Sequence, residues 1–460
     1  MSQSKSLGSE KISTILIRQS IPAAAGILVL SIYNLVDTIF VGNYVGSLGI
    51  AAVTVVMPLS FFMSSIGMAI GIGGGSIISR ALGASNKERA HLAFGNMIGM
   101  TLTIAAIFVI ISSIYIEEVL IIFGGKGETL ELAVKYFQIV LLGIPFLAWA
   151  MMSNNVIRAE GKPKFAMLVM MIPAVSNIIL DAVFIVYMGW GIEGAAWATT
   201  ISYIFSAIYA FGFFFMKKSE LQVERKHFRI DLPIAGEITS LGSVSFARQG
   251  TISLLILVIN HTLFKYGGEI SIAVYGIISR MMMFALFPVM GLVQGFIPIA
   301  GYNYGAENWE RVKKVINTAI KYGILISLII FVGIMLGSDW IVRIFSKDIQ
   351  ILTQTPQALR IAFMAIPLLA IQLIGASYFQ AIGKPGPALI LSLSKQGFFL
   401  IPLVLILPMY FGLNGVWFAF PIADLSSTIV TWLYLRKEIH KKLDPLIKLK
   451  TSFSRVDHAI

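Results

Sequence analysis

The chain has 460 residues and a net charge of +12; 57% of its residues are hydrophobic, only 13% are charged, and the mean hydropathy is +0.84. A soluble domain carries about twice that share of charged residues, so a soluble globular class is excluded and a membrane protein is indicated. The absence of cysteine excludes disulfides, thiolate metal sites and cysteine nucleophiles.

Twelve apolar segments are long enough to cross a hydrocarbon core of about 30 Å as helices. Open sheet edges are not tolerated in lipid, so we predict an all-α polytopic membrane protein with 12 transmembrane helices. In chain order, the predicted spans are 20–41, 50–72, 92–115, 136–153, 165–188, 194–216, 239–264, 271–299, 316–337, 357–380, 388–409 and 415–435.

A charged stretch divides these spans into two sets of six. We predict an N-lobe at 1–216 with spans 1–6, a cytoplasmic linker at 217–235, a C-lobe at 236–436 with spans 7–12, and a basic cytoplasmic tail at 437–460. Because each half starts and ends on the inner side, the two six-helix lobes are predicted to be parallel and related by pseudo-two-fold symmetry.

Short motifs repeat between the halves at one constant offset of 222 residues, which predicts an internal repeat from an ancient duplication. Gly161-Lys162-Pro163 recurs as Gly383-Lys384-Pro385, and Ile144-Pro145 recurs as Ile366-Pro367.

The basic charge is explained by topology. With the N-terminus inside, most of the 35 Lys and Arg residues fall on inner segments, as the positive-inside rule requires. We therefore expect a monomeric, multi-pass protein of the inner (plasma) membrane with both termini cytoplasmic, in contact with membrane lipids and without a nucleic-acid partner.

Two acidic residues lie deep in predicted spans of the N-lobe, Asp37 in span 1 and Asp181 in span 5. At 1.5 Å per residue, both lie roughly 6–11 Å below the outer boundary. Asn177, one turn before Asp181, and Thr199 in span 6 reach a similar depth. Two carboxylates, an amide oxygen and a hydroxyl can ligate Na⁺, and two close carboxyl groups can instead hold a proton.

We therefore expect these four residues to form a cation-binding and coupling site for H⁺ or Na⁺, with no other cofactor. The alternative is a buried polar network that only orients the helices. Charged residues inside spans are costly and mark functional sites, so we assign further polar residues of the spans to a substrate cavity: Tyr33, Asn154, Arg248, Arg280 and Lys395.

The C-lobe does not repeat the two acids. Ile259 and Leu403 stand 222 residues after Asp37 and Asp181. An internal ion pair of Asp424 with Arg280 or Lys395 is an equally acceptable interpretation of the charges in this half.

Pro22 is a candidate hinge. It would be an ordinary early-turn proline if span 1 began close to residue 20. If the helix begins near Ser13, Pro22 is interior and marks a kink.

Several of these motifs resemble the multidrug and toxic compound extrusion (MATE) transporters, over nearly the whole chain: the span-1 segment 31–42, the inner loop 80–84 and the doubled Gly-Lys-Pro loops. Asp37 with Asn177, Asp181 and Thr199 is similar to the N-lobe cation site of the DinF-like branch, and Pro22 to its kinkable proline. The NorM branch has acidic residues in spans 7 and 10, where this chain has Arg248 and no acid.

The resemblance implies a V-shaped pair of lobes and a secondary active transporter rather than an enzyme. It further implies an antiporter in which entry of H⁺ or Na⁺ drives export of amphipathic, often cationic organic compounds by rocker-switch alternating access. A second hypothesis is a lipid-linked oligosaccharide flippase of the same superfamily, for which the basic C-lobe residues would hold pyrophosphate. Less close hypotheses are a major-facilitator transporter and, from a different class, a channel or receptor.

Overall fold

The computed structural model describes residues 3–215, 219–222 and 224–457, and this part of the chain is helical with no β-strand. Parts of the predicted linker (Lys217, Lys218 and Val223) and the predicted tail's residues 458–460 lie outside the described residues.

The first half contains eight α-helices: α1 Gln3–Ser9, α2 Ile12–Tyr44, α3 Ser47–Gly83, α4 Lys87–Ile114, α5 Ile116–Ile122, α6 Gly127–Ala159, α7 Pro163–Asp181 and α8 Gly191–Phe215. A π-helical segment, Ala182–Tyr187, follows α7, and a short 3₁₀ turn, Arg225–Phe228, lies in the linker.

The second half contains α9 Leu232–Gly305, α10 Trp309–Phe345, α11 Ile349–Ala362, α12 Leu369–Ala381, α13 Pro385–Leu393, α14 Ile401–Ile406, α15 Pro408–Phe411, α16 Leu413–Glu438 and α17 Asp444–Asp457. A 3₁₀ turn, Ile366–Leu368, joins α11 to α12, and π-helical segments occupy Ser394–Leu400 and Ile439–Leu443.

The prediction of twelve membrane-spanning helices is confirmed. Eleven continuous helical segments in the described part are long and apolar enough to cross a membrane. One of them, α9, has 74 residues and is broken at Gly268, whose φ of 66° and ψ of −164° are not helical. Only glycine adopts such a conformation readily, so α9 supplies two spans.

Helix α2 begins at Ile12, well before the predicted start of span 1. Pro22 is therefore an interior proline rather than an early-turn proline. An interior proline cannot donate a backbone hydrogen bond to the residue four positions earlier, which here is Arg18. Helix α2 is thus weakened at this point.

The chain folds into two compact units. Unit 1 contains Pro22–Ser245 together with the N-terminal residues up to Ser6, and unit 2 contains Leu7–Ile21 and the chain from Phe246 onward. The first part of α2 therefore belongs to unit 2, and the first part of α9 belongs to unit 1. The predicted lobe boundaries at 216 and 236 stay a prediction.

The first part of α9 and the first part of α2 are each held by a close helix contact at a glycine. In unit 1, a Cβ added to Gly73 of α3 would lie 2.3 Å from the carbonyl oxygen of Ile238 in α9. In unit 2, a Cβ added to Gly295 of α9 would lie 2.6 Å from Oγ of Ser20 in α2. Gly73 and Gly295 are 222 residues apart, so the repeat seen in the sequence extends to the packing.

The two Gly-Lys-Pro loops are also built alike. Lys162 lies 3.5 Å from the buried carboxylate of Glu160, and Lys384 forms an ion pair with Glu438 at the end of α16. Glu160 in turn accepts a hydrogen bond from the backbone N–H of Glu220 at 2.9 Å. In each half, the lysine of the Gly-Lys-Pro loop is therefore linked, directly or through a glutamate, to the segment that follows the last span of that half.

Candidate cation-coupling site

Three helices of unit 1 position the predicted cation-binding residues. Asp37 lies in α2, Asn177 and Asp181 lie in the last turn of α7, and Thr199 lies in α8. Asp181 is the last residue before the π-helical segment, a helix form that occurs frequently at functional sites. All four side chains are buried; Asp181 and Asn177 are 0% exposed and Asp37 is 6% exposed.

The structure brings these four residues together. The carboxyl groups of Asp37 and Asp181 lie close enough to interact, and two carboxyl groups in contact can hold one proton between them. With its amide turned so that the nitrogen faces Asp181, Asn177 donates from Nδ2 to Oδ2 of Asp181 at 2.7 Å. Its Oδ1 then accepts the backbone N–H of Thr199 at 3.3 Å.

Two carboxyl oxygens of this cluster are left without a donor. Oδ1 of Asp37 and Oδ1 of Asp181 are both buried, and no residue that the structure describes donates a hydrogen bond to them. A buried, unpaired carboxylate is strongly disfavoured. The cluster therefore has the chemistry to take up a proton or a small cation.

The orientation of the Asn177 amide determines which ion the cluster can hold. The amide of Asn177 gives its nitrogen to Asp181 and directs its oxygen to the backbone of Thr199. A Na⁺ ion needs oxygen ligands, so Asn177 would have to turn its amide over to join the predicted Na⁺ site.

A small cavity adjoins the cluster. Its volume is about 90 Å³, and its wall includes Tyr33, Asp37, Tyr136, Thr199 and Tyr203. Drug-sized ligands occupy pockets of about 300–1,000 Å³, and a water molecule takes about 30 Å³. The cavity has room for a few waters beside Asp37 but not for a bulky organic compound.

Two tyrosines of this wall, Tyr203 and Tyr136, were not predicted from the sequence. Both line the cavity together with Tyr33 and Thr199. Tyr203 lies four residues after Thr199 on α8 and therefore on the same helix face. That spacing could have identified it, whereas no comparable signal singles out Tyr136.

Asn154 does not line this cavity. Its Nδ2 donates to the carbonyl oxygen of Ala166 at 2.5 Å, and its Oδ1 accepts from Nε of Arg158 at 3.0 Å. Both ends of the amide are thus used to fasten α6 to α7, and a direct contact of Asn154 with substrate stays a prediction.

The basic candidates of the C-lobe lie in unit 2. Nζ of Lys395 lies 2.5 Å from Oδ1 of the buried Asp424, so these two residues form the ion pair that the sequence left open. Arg248 is half-buried and Arg280 is exposed; neither has a hydrogen-bond or ion-pair partner among the described residues. Ile259, which replaces Asp37 in the repeat, is fully buried in the apolar core of unit 2.

A second group of possible metal ligands lies where the linker meets α4. Ligand atoms of Glu88, His91 and His227 lie within 4.8 Å of one another. However, Nδ1 of His227 accepts the backbone N–H of Glu224 at 2.9 Å. The proton of neutral His227 is then on Nε2, which faces Glu88 at 3.4 Å. This geometry is that of a hydrogen-bonded contact between the linker and α4 rather than that of a metal site.

Comparison with known proteins decides the family. A family model described as MatE matches residues 22–183 and 246–406. The chain belongs to the MatE family. The two matched segments begin at Pro22 and Phe246, where the main segments of units 1 and 2 also begin. A MatE protein is a membrane transporter, so the prediction that the chain is not an enzyme is confirmed.

Relatives of this MatE protein match over almost their full length. The multidrug export protein MepA of Staphylococcus haemolyticus is 29% identical over 405 residues, covering 88% of this chain and 89% of that protein. A crystal structure of MATE in the bent conformation is 27% identical, with a TM-score of 0.90, and the match covers 98% of this chain and 99% of that one. An outward-facing multidrug resistance MATE family transporter of the MOP superfamily is 27% identical with a TM-score of 0.87, covering 97% and 99%.

Proposed function

We propose that this protein is a cation-coupled multidrug efflux antiporter that exchanges H⁺ for amphipathic, often cationic organic compounds. The export of drugs is supported by the relatives that carry that name. The coupling ion is supported by one observation: the carboxyl groups of Asp37 and Asp181 lie close enough to interact, and each keeps one buried oxygen without a donor.

The proposed mechanism starts from the shared proton. Loss of that proton leaves two buried carboxylates in contact, which repel each other. Because Asp37 is on α2 and Asp181 is on α7, the repulsion favours a displacement of α2. Helix α2 is weakened at Pro22, so we place the hinge of this displacement there.

This displacement also explains how a bulky compound enters. The cavity of about 90 Å³ beside Asp37 is too small for such a compound. A movement of α2 carries Tyr33 and Asp37 away from the opposite wall and enlarges the cavity. Proton uptake then reverses the movement and expels the compound, which gives antiport.

The test is efflux of a fluorescent cationic dye from proteoliposomes under a proton gradient and, separately, under a sodium gradient. We expect the proton gradient alone to drive efflux. Efflux driven only by sodium would overturn proton coupling and would mean that Asn177 turns its amide oxygen to the ion. Equal efflux without any gradient would indicate a channel.

We also propose that the chain lies in the plasma membrane with both termini in the cytoplasm. The distribution of Lys and Arg supports this orientation. The flippase hypothesis is weakened because Lys395, one of the three basic candidates for a pyrophosphate site, is already paired with Asp424.

A further inference from the structure

A large aromatic groove lies in unit 1, apart from the cavity at Asp37. Its volume is about 830 Å³, and its wall is formed by α4, α6, α8 and the linker. The rings that line it include Phe94, Phe146, Trp149, Phe211, Phe214 and Phe228. Unlike the cavity at Asp37, this groove is large enough for a long apolar group.

The rings form a continuous wall. The ring centroids of Phe94 and Phe214 are 4.6 Å apart, and those of Trp149 and Phe214 are 6.1 Å apart. Because Phe94 is on α4, Trp149 on α6 and Phe214 on α8, this wall runs across three spans. Its body is apolar, as an acyl chain requires.

The linker gives the groove a polar mouth, with one cation next to it in the sequence. Ser219 and Gln222 line the groove at this end, together with Phe228 of the linker. Arg229, the next residue, is exposed and forms no ion pair among the described residues. Ile230 and Leu232 beyond it are 68% and 77% exposed. Exposed apolar side chains interleaved with a cation are typical of a segment at the membrane surface.

The mouth is held rigidly against α4. The backbone N–H of Asp231 donates to Oδ1 of Asn96 at 2.9 Å, and Nδ2 of Asn96 donates to the carbonyl oxygen of Arg229 at 3.3 Å. A Cβ added to Gly95 would lie only 2.0 Å from the carbonyl oxygen of His227. The linker therefore lies directly on α4, and the backbone of Arg229 is fixed there, one residue after Phe228 of the groove wall.

We propose that this groove binds one anionic phospholipid of the leaflet on the linker side, with an acyl chain between the rings and the phosphate at Arg229. Apolar burial alone would accept any phospholipid. The unpaired charge of Arg229 selects an anionic headgroup, since a basic residue near the surface attracts anionic lipid. The lipid would also bridge the linker to three spans.

Trp149 provides the measurement. The protein in detergent is titrated with phosphatidylglycerol or phosphatidylcholine that carries brominated acyl chains, and quenching of tryptophan fluorescence is recorded. The chain has seven tryptophans, so the component that disappears in Trp149→Phe is assigned to the groove. We expect this component to be half-quenched at about fivefold lower phosphatidylglycerol than phosphatidylcholine, the preference expected of one surface cation.

Arg229→Gln should abolish the preference and leave the quenching by phosphatidylcholine unchanged. Arg343→Gln is the matched control, because Arg343 is an exposed cation at the end of α10; it should keep the full preference. Equal half-quenching by the two lipids in the wild type, or an intact preference in Arg229→Gln, would overturn the proposal. Reversal of quenching by a cationic dye but not by unbrominated phosphatidylglycerol would also overturn it, by showing a drug site.

Discussion

At the scale of single residues, Asp37 is the group on which the proposed coupling depends. Asp37→Asn keeps the size and polarity of the side chain but removes its ability to share a proton with Asp181. We expect the variant to insert and fold normally and its proton-driven dye efflux to fall to the background of protein-free liposomes. Glu310→Gln, at an exposed acid of α10, should transport like the wild type; Asp37→Asn efflux at the wild-type rate would contradict the proposed site.

Asp181 should act with Asp37 as one unit. Groups that share one proton lose function non-additively. Asp181→Asn alone is therefore expected to fall to the same background as Asp37→Asn, and the double variant to stay there, measured as the initial rate of proton-driven efflux. A rate of Asp181→Asn well above the background reached by Asp37→Asn would show that the two acids work at separate sites.

Glu160 gives a pH-dependent stability that can be measured outside the spans. Burial raises the pKa of Glu160 from its ordinary value of 4.5 to about 7, although Ser219, Glu220 and Lys162 partly oppose the shift. The folded chain thus keeps this proton in a range where the unfolded chain has lost it. The contribution to stability is complete below pH 4.5 and is lost as the pH rises to about 7.

We expect the melting temperature of the wild type in detergent to fall between pH 4.5 and pH 7 relative to that of Glu160→Gln, which cannot ionise. The difference corresponds to at most about 1.4 kcal/mol per pH unit for one proton. Parallel melting curves for the two proteins across this range would show that Glu160 is already ionised in the folded chain.

At the scale of helices, the glycine contact between α3 and α9 sets how closely the two helices approach. Gly73→Ala would drive a methyl group into the backbone of Ile238, and overpacking of this kind destabilises by about 1–3 kcal/mol. Gly99 is the matched control, because a Cβ added there meets nothing within 4 Å. We expect Gly73→Ala to lower the melting temperature and Gly99→Ala to leave it unchanged or raise it.

Much of the helical plan could be predicted from the sequence, because apolar runs of sufficient length leave a chain in lipid no other choice. The helix ends could not. Residues 12–19 are too polar to be identified as part of a span, yet they are helical at the start of α2. Hydropathy identifies the part of a helix that lies in the membrane core, but it does not predict helix turns that extend beyond that core.

The candidate site could likewise be predicted only in part. Depth along a span was enough to predict that Asp37 and Asp181 meet, because depth follows from the residue count. Which side chains face each other depends on helix rotation, and the sequence does not fix that. Asn154 was therefore assigned to a cavity although its amide binds Ala166, and Tyr136 was overlooked.

At the scale of the whole molecule, the ion pairs of Glu237 bear on the transport motion. Glu237 belongs to the predicted C-lobe, yet in unit 1 its two carboxylate oxygens each lie 2.7 Å from an arginine, Arg80 of α3 and Arg89 of α4. If the predicted lobes rock against each other, these ion pairs must break in every cycle. A covalent link in their place would stop such rocking but would not stop the displacement of α2 around Pro22 that we propose.

The link can be made freely because the chain has no native cysteine. Because the proposed motion is a displacement of α2 and Arg80 and Glu237 both belong to unit 1, we expect a short bismaleimide between Arg80→Cys and Glu237→Cys to leave efflux at the rate measured before crosslinking. Gly75→Cys/Ala159→Cys is the control: the added Cβ lies 3.8 Å from that of Ala159, within the predicted N-lobe, so a disulfide there should permit transport. Loss of efflux after the first crosslink alone would contradict a motion confined to α2 and would show that the predicted lobes rock against each other.

The first part of α2 belongs to unit 2 and the first part of α9 belongs to unit 1, and this exchange bears on the origin of the protein. The first residues of α2 pack in unit 2, and the first residues of α9, which stand in the equivalent place of the repeat, pack in unit 1. An ancestral half-length chain would have had no surface of its own for this segment. Two copies could bury it by each lending the segment to the other, which is the arrangement of a domain-swapped homodimer. Fusion of the two genes would then have turned an intermolecular exchange into an intramolecular one.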